Sequence, residues 1–183
     1  MKILVVEDNL TQAKYLAHLL EGRNHQVAIA SNGNEALVQI DTFGPDIVLT
    51  DVMMPDMDGY TLCKRIKEDG KTSQIPVIIV THLYSPVDVI KGLEAGADNF
   101  IIKPYDPENI FSRILSITQV RDHPERLEMN DPLNVVFSNE VHTVSSSRMQ
   151  ILNILLSTYD TAVKNNCELQ VAHERLHYMN AQL

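Results

Sequence analysis

Five short apolar runs, each closed by a polar residue and separated from the next by a helix-forming stretch, constrain this chain more than any other feature. They are ILVV at 3–6, HQVAIA at 25–30, GPDIVLTD at 44–51, IPVIIVT at 75–81 and NFIIK at 99–103. A short, nearly unbroken apolar run reads as a strand buried on both faces. The intervening stretches carry helix signals. Asn9 with Gln12, and Asn32 with Glu35, are spaced to cap helices, and DGYTLCKRIKED at 58–69 forms a third. Ser85-Pro86 with Asp88 opens a fourth helix that Gly96 ends, and Asp106-Pro107 opens a fifth through about Val120.

Strands alternating with helices predict an α/β fold, a parallel sheet covered on both faces by right-handed crossovers. Ligands of such sheets bind outside the carboxyl ends of the strands, at the topological switch point. Glu7 and Asp8 follow the first strand, Asp51 ends the third, Thr81 the fourth and Lys103 the fifth. Five polar residues scattered along the sequence are thus expected at one sheet edge. Three neighbouring carboxylates repel one another, and a hard divalent cation with oxygen ligands, Mg²⁺, relieves the conflict. Mg²⁺ also neutralises phosphoryl oxygens, and a carboxylate is a nucleophile able to form an aspartyl phosphate. Lys103 and the Thr81 hydroxyl suit two of the remaining phosphoryl oxygens.

Composition narrows the partners. The net charge is −9, and residues 122–183 hold four Lys/Arg against eight Asp/Glu, so no basic patch for direct nucleic-acid binding is expected. The start, MKILVVEDN, has too short an apolar run for a signal peptide or a membrane span. Cys63 and Cys167 lack ligand spacing and read as free thiols of a reducing compartment, so a cytoplasmic protein is expected.

Over residues 1–121 the chain resembles the receiver domain of two-component response regulators. The resemblance is carried by VVEDN, DIVLTDVMMPDMDG, IIVT and GADNFIIKPY. It implies a flavodoxin-like, doubly wound sheet of order 2-1-3-4-5 and a phosphoacceptor at Asp51. It further implies Mg²⁺ held by Asp8 and Asp51 directly, by Glu7 through water and by the Met53 backbone carbonyl. Thr81 and Phe100 become a switch pair, the hydroxyl moving toward the phosphoryl group as the ring turns inward. Lys103 becomes the phosphate-contacting lysine, with a cis peptide bond to Pro104. The implied phosphodonor is a sensor histidine kinase or a phosphotransfer protein. Met53 stands two residues after Asp51, where aspartyl-phosphate phosphohydrolases carry a second acid. Self-modification at Asp51, and no enzymatic turnover, is therefore expected. Met53, Met54 and Met57 read as loop packing, with Pro55 and Gly59 setting the turns. His82 departs from the small residue common after the switch threonine, and either crowds the site or faces solvent.

Beyond the receiver, residues 122–145 read as a linker with a β-hairpin around Asn139-Glu140, and 146–183 as one long helix. Leu152, Tyr159, Asn166, His173 and Asn180 recur every seven residues, with Leu155, Ala162, Leu169, Leu176 and Leu183 three further on. That spacing predicts a coiled-coil seam and a homodimer, the polar positions setting register. A helix of this length spans about 55 Å, more than a receiver can cover. His173-Glu174 resembles the phosphorylated histidine of sensor kinases. However, Arg175 comes one residue early and Leu176-His177-Tyr178 breaks the rest of that motif, so His173 reads as a seam residue. VVFSNEVHTV and RMQILNILLSTYDTAVKNNCEL resemble linkers of hybrid sensor kinases. The competing readings are a phosphorelay shuttle without its own output and a fragment from the N-terminus of a hybrid kinase.

Overall fold

The computed structural model describes residues 1–82, 86–121, 133–137 and 140–144, together with 150, 151, 154, 155 and 162. In chain order the elements are β1 (Lys2–Val6), α1 (Leu10–Glu21), β2 (Gln26–Ala30), α2 (Gly33–Phe43), β3 (Ile47–Asp51) and α3 (Gly59–Glu68). Then follow β4 (Val77–Thr81), α4 (Pro86–Glu94), β5 (Asn99–Ile102), α5 (Pro107–Arg121), β6 (Leu133–Phe137) and β7 (Glu140–Val144). The five receiver strands form one sheet of order β2-β1-β3-β4-β5, every neighbouring pair parallel. The apolar runs become strands because side chains alternate between the two faces and both faces are covered. Ile3, Val5, Ile47, Leu49, Ile78, Val80 and Ile101 pack on the side of Leu16, Leu20 and Ile110. Leu4, Val6, Val48, Val77, Ile79 and Phe100 pack on the side of Ala36, Leu62 and Ile66. Each large aliphatic side chain buried completely contributes about 1.5–3 kcal/mol, so two such clusters fix the strands in register.

The helix caps decide how each chain segment leaves the sheet. The Asn9 side chain accepts the Thr11 and Gln12 amides, starting α1 immediately after the Glu7-Asp8 pair. Asn32 caps α2 by accepting the Glu35 amide, while Glu35 reaches back to the Ser31 amide and hydroxyl. Asp58 caps α3. Gly44 and Gly96 take positive φ where α2 and α4 end, a conformation that favours glycine.

The methionine-rich loop after β3 differs in part from the sequence expectation. Met57 is buried against Gly33 and Met54 packs beside it, whereas the Met53 side chain is 70% exposed. The left-handed residue of that loop is Asp56, with φ 65, so Gly59 does not make the turn. Gly59 instead begins α3, where a Cβ would overlap the Asp51 backbone carbonyl. No helix among the described residues is long and apolar enough to cross a membrane.

β6 pairs antiparallel with β7, Phe137 opposite Glu140, and Gln150, Ile151, Ile154, Leu155 and Ala162 are helical. Of the expected seam, Leu155 and Ala162 are exposed. Leu152, Tyr159, Asn166, Leu169, His173, Leu176, Asn180 and Leu183 lie outside the described residues.

Candidate functional site

Strand register alone brings the site together. Val6 lies opposite Thr50, so Glu7 emerges level with Asp51. Asp51 pairs with Val80, so Thr81 comes one step later, and Thr81 pairs with Ile102, so Lys103 does too. β1 and β3 are the neighbours from which the chain departs in opposite directions, to β2 and to β4. The polar residues therefore gather at the switch point, where a crevice must open.

Glu7, Asp51, Thr81 and Lys103 are all buried, while Asp8 is exposed at the rim. One carboxylate oxygen from each of Glu7, Asp8 and Asp51 lies within 4.8 Å of the others. The Lys103 ammonium donates to Glu7 Oε2 at 2.7 Å and to Asp51 Oδ2 at 3.0 Å. Its third proton goes to Gln12 Oε1 at 2.8 Å. The Val52 amide donates to Asp51 Oδ1 at 2.7 Å, which holds the carboxylate plane in place. The peptide bond between Lys103 and Pro104 is cis.

Gln12 was expected to close a capping box with Asn9. It serves the lysine instead, because the first turn of α1 points it into the crevice. Sequence spacing could not separate the two uses. His82 is exposed, so it faces solvent and does not crowd Asp51.

The donor set is three carboxylates, all oxygen, with an open rim at Asp8. Such a set fits Mg²⁺, which keeps several waters and takes hard ligands. Burial raises the Glu7 carboxyl above its ordinary 4.5; the Lys103 hydrogen bond opposes the rise and the Asp51 charge adds to it. The folded state therefore holds this proton more tightly than the unfolded chain. Below the ordinary value both states are protonated and nothing is lost. As pH rises past it the unfolded chain ionises first, and the metal-free fold loses stability until its own raised value is passed. A Glu7→Gln variant lacks this loss. Melting temperatures in a chelator should therefore show the variant gaining on wild type as pH climbs above 4.5. A gap that stays constant across that range contradicts the assignment.

Phe100 is 3% exposed, and its ring fills the space at Gly92 of α4, where a Cβ would overlap the ring. Gly92 is thus a socket in the last turn of α4, recognisable only once the ring is seen against it. Replacing glycine by alanine in a helix ordinarily gains about 0.5–1 kcal/mol. At position 92 the overlap with a stiff, buried ring outweighs that gain, since overpacking costs about 1–3 kcal/mol. Gly92→Ala is expected to lower the melting temperature. An increase would show that the ring does not occupy the socket.

Residues 3–115 match the family model described as the response regulator receiver domain. The chain belongs to that family. Response regulator PleD of Caulobacter vibrioides is 41% identical to this receiver over 120 residues, 66% of this chain and 26% of that protein. A protein named DNA-binding response regulator MtrA, from Mycolicibacterium paratuberculosis, is 33% identical over 150 residues, covering 82% of this chain and 65% of its own length. The chain thus spans about a quarter of one relative and just under two thirds of the other. Among solved structures, a response regulator from Chloroflexus aurantiacus J-10-fl is 36% identical, with a TM-score of 0.62 over 64% of this chain and 97% of its own. The signal receiver domain of a histidine kinase from Syntrophus aciditrophicus is 37% identical, with a TM-score of 0.56 over 74% of this chain and 98% of its own.

Proposed function

We propose that Asp51 is the phosphoacceptor of this receiver and that its phosphorylation state is passed to an output through the C-terminal segment. The observation that carries the reading is the buried Lys103 ammonium, 2.7 Å and 3.0 Å from two carboxylates of a three-carboxylate cluster at the strand ends. In the transfer, an Asp51 carboxylate oxygen forms a bond to phosphorus as the bond from phosphorus to a donor histidine nitrogen breaks. The donor is a sensor histidine kinase or a phosphotransfer protein. Asp8 and Asp51 would hold Mg²⁺ directly, Glu7 through water, with the Met53 carbonyl as the last protein ligand. The ion supplies charge neutralisation for the phosphoryl oxygens. Lys103 holds one phosphoryl oxygen and orients the Asp51 carboxylate before transfer. The Thr81 hydroxyl takes another oxygen, and the ring of Phe100 at Gly92 registers the change. Incubation with a small phosphodonor and Mg²⁺ tests the reading. Wild type gains one phosphoryl group by intact mass, and gains none in chelator.

The organisation proposed is a receiver at 1–121, a linker at 122–145 and a helix from 146 that dimerises through its heptad seam. Leu155 and Ala162, two positions of that seam, are solvent-exposed, which supports the reading. Sedimentation at micromolar concentration is expected to give a dimer, and truncation after Arg121 a monomer. A full-length monomer would favour the shuttle reading. Hydrolysis of a small phosphoester with multiple turnover would favour a phosphohydrolase.

A further inference from the structure

Two pieces of chain beyond α5 lie on α4 and its exit. β7 packs against α4. Gln150 closes over the α4–β5 connection, its Nε2 donating to Asp98 Oδ1 at 3.0 Å and to the Gly96 carbonyl at 3.4 Å. Ile154 lies one helical turn further, on the same face, and is completely buried in the core cluster that also holds Ala95, Ala97 and Phe100. Asp98 is already engaged on its other oxygen, which takes Lys67 Nζ at 2.7 Å and the Val77 amide at 2.7 Å. One carboxylate therefore ties α3, the start of β4 and the tail together. Leu155, beside Ile154, is 57% exposed, so the docked stripe and the expected dimer seam are different parts of the helix surface.

The element engaged is the one that carries the Phe100 socket. α4 is held at Gly92 by the ring and at its C-terminal exit by the tail. The first contact is made by the proposed switch residue Phe100 and the second by residues outside the site, and both depend on where α4 sits. Ile154 contributes a fully buried aliphatic side chain, and Gln150 a charge-assisted hydrogen bond, so the docking is a specific contact with a definite free energy.

We infer that β7, Gln150 and Ile154 form an intramolecular clamp on α4 whose docking is coupled to phosphoryl occupancy of Asp51. Ile154 and the Phe100 ring share one buried cluster, so an occupancy that favours the buried ring, as the switch proposed for Thr81 and Phe100 requires, also favours docking. Undocking frees α4 and weakens the occupied state. The inference rests on the reading of Asp51 as phosphoacceptor. Coupling is reciprocal: occupancy must strengthen docking by the factor by which docking strengthens occupancy.

The test uses the full chain with Mg²⁺ and beryllofluoride as phosphoryl analogue, in wild type, Gln150→Ala and Ile154→Asp. Amide hydrogen exchange over 92–98 and 140–144 reports docking. In wild type the analogue is expected to slow exchange in both segments. Ile154→Asp is expected to speed exchange there and to weaken analogue binding by about five-fold or more, the lower end of common coupling strengths. Gln150→Ala leaves the core intact and is expected to shift both readouts in the same direction by less. It carries the test if Ile154→Asp does not fold. Variants that release the tail but bind the analogue as tightly as wild type, or more tightly, overturn the clamp while leaving the phosphoacceptor reading intact. A wild type that fails to bind the analogue overturns both.

Discussion

Asp51→Asn is expected to reduce phosphoryl incorporation from a small phosphodonor to background while the fold survives. The amide has nearly the shape of the carboxylate, and its oxygen still accepts the Val52 amide that now reaches Asp51 Oδ1 at 2.7 Å. What disappears is the anionic oxygen that must attack phosphorus, because an amide is a far poorer nucleophile. One of the three oxygens set for Mg²⁺ loses its charge as well. Stability moves little. Lys103 keeps Glu7 at 2.7 Å, and the repulsion between Glu7 and Asp51 is removed. Intact mass after phosphodonor treatment, read beside a thermal melt, separates chemistry from folding. If the variant incorporates phosphate as well as wild type, the acceptor is another residue.

Lys103→Met is expected to produce the largest change in stability. Its side chain is 4% exposed, and its ammonium bridges the carboxylates of Glu7 and Asp51, whose side chains are 7% and 10% exposed. Methionine fills much the same volume and cannot donate. The Glu7 and Asp51 carboxylates are then left facing each other inside the protein without a cation. Removing one member of a buried ion pair costs about 3–5 kcal/mol, because the remaining charge stays desolvated. Mg²⁺ should recover part of that loss, since its ligands are the same carboxylates and the competing ammonium is gone. The expected result is a large fall in melting temperature in chelator and a larger Mg²⁺-induced rise than wild type shows. The phosphorylation rate should fall as well, for want of the cation facing the phosphoryl oxygen. A variant as stable as wild type in chelator would mean that the lysine is not the counter-ion.

These outcomes hang on contacts whose legibility in the sequence differed. The apolar runs and their polar closing residues were visible because a strand covered on both faces has to be apolar along its length. Asn9, Asn32 and Gly96 were visible as helix ends because capping is local chemistry acting within one turn. Glu7, Asp8, Asp51, Thr81 and Lys103 were visible as a set because the ends of parallel strands meet at one edge. The use of Gln12 was not visible, since the same residue at the same spacing suits a capping box. The roles of Gly59 and Gly92 were not visible either. A glycine at the start of a helix, or in its last turn, discloses nothing about the carbonyl or ring that occupies the missing side chain's place. The Met53 side chain was misjudged because apolar character says nothing about which way a loop residue turns.

The tail shows the same division. Its heptad spacing marks Leu155 and Ala162 as members of one stripe, and both are exposed. Ile154, one position away from the stripe, enters the receiver core. Periodicity identifies faces of a helix and leaves open what each face meets.

The sequence by itself determined the strand and helix alternation, the sheet edge where chemistry gathers and the residue types present there. It did so because periodicity and capping act over a few residues. Only the tertiary structure decided that an ammonium 96 residues from Glu7 lies 2.7 Å from its carboxylate, that Phe100 fills the space at Gly92 and that Ile154 is sealed beside α4. Those contacts join positions far apart along the chain. Strand register and the packing of two hydrophobic layers bring them together, and no local pattern encodes either.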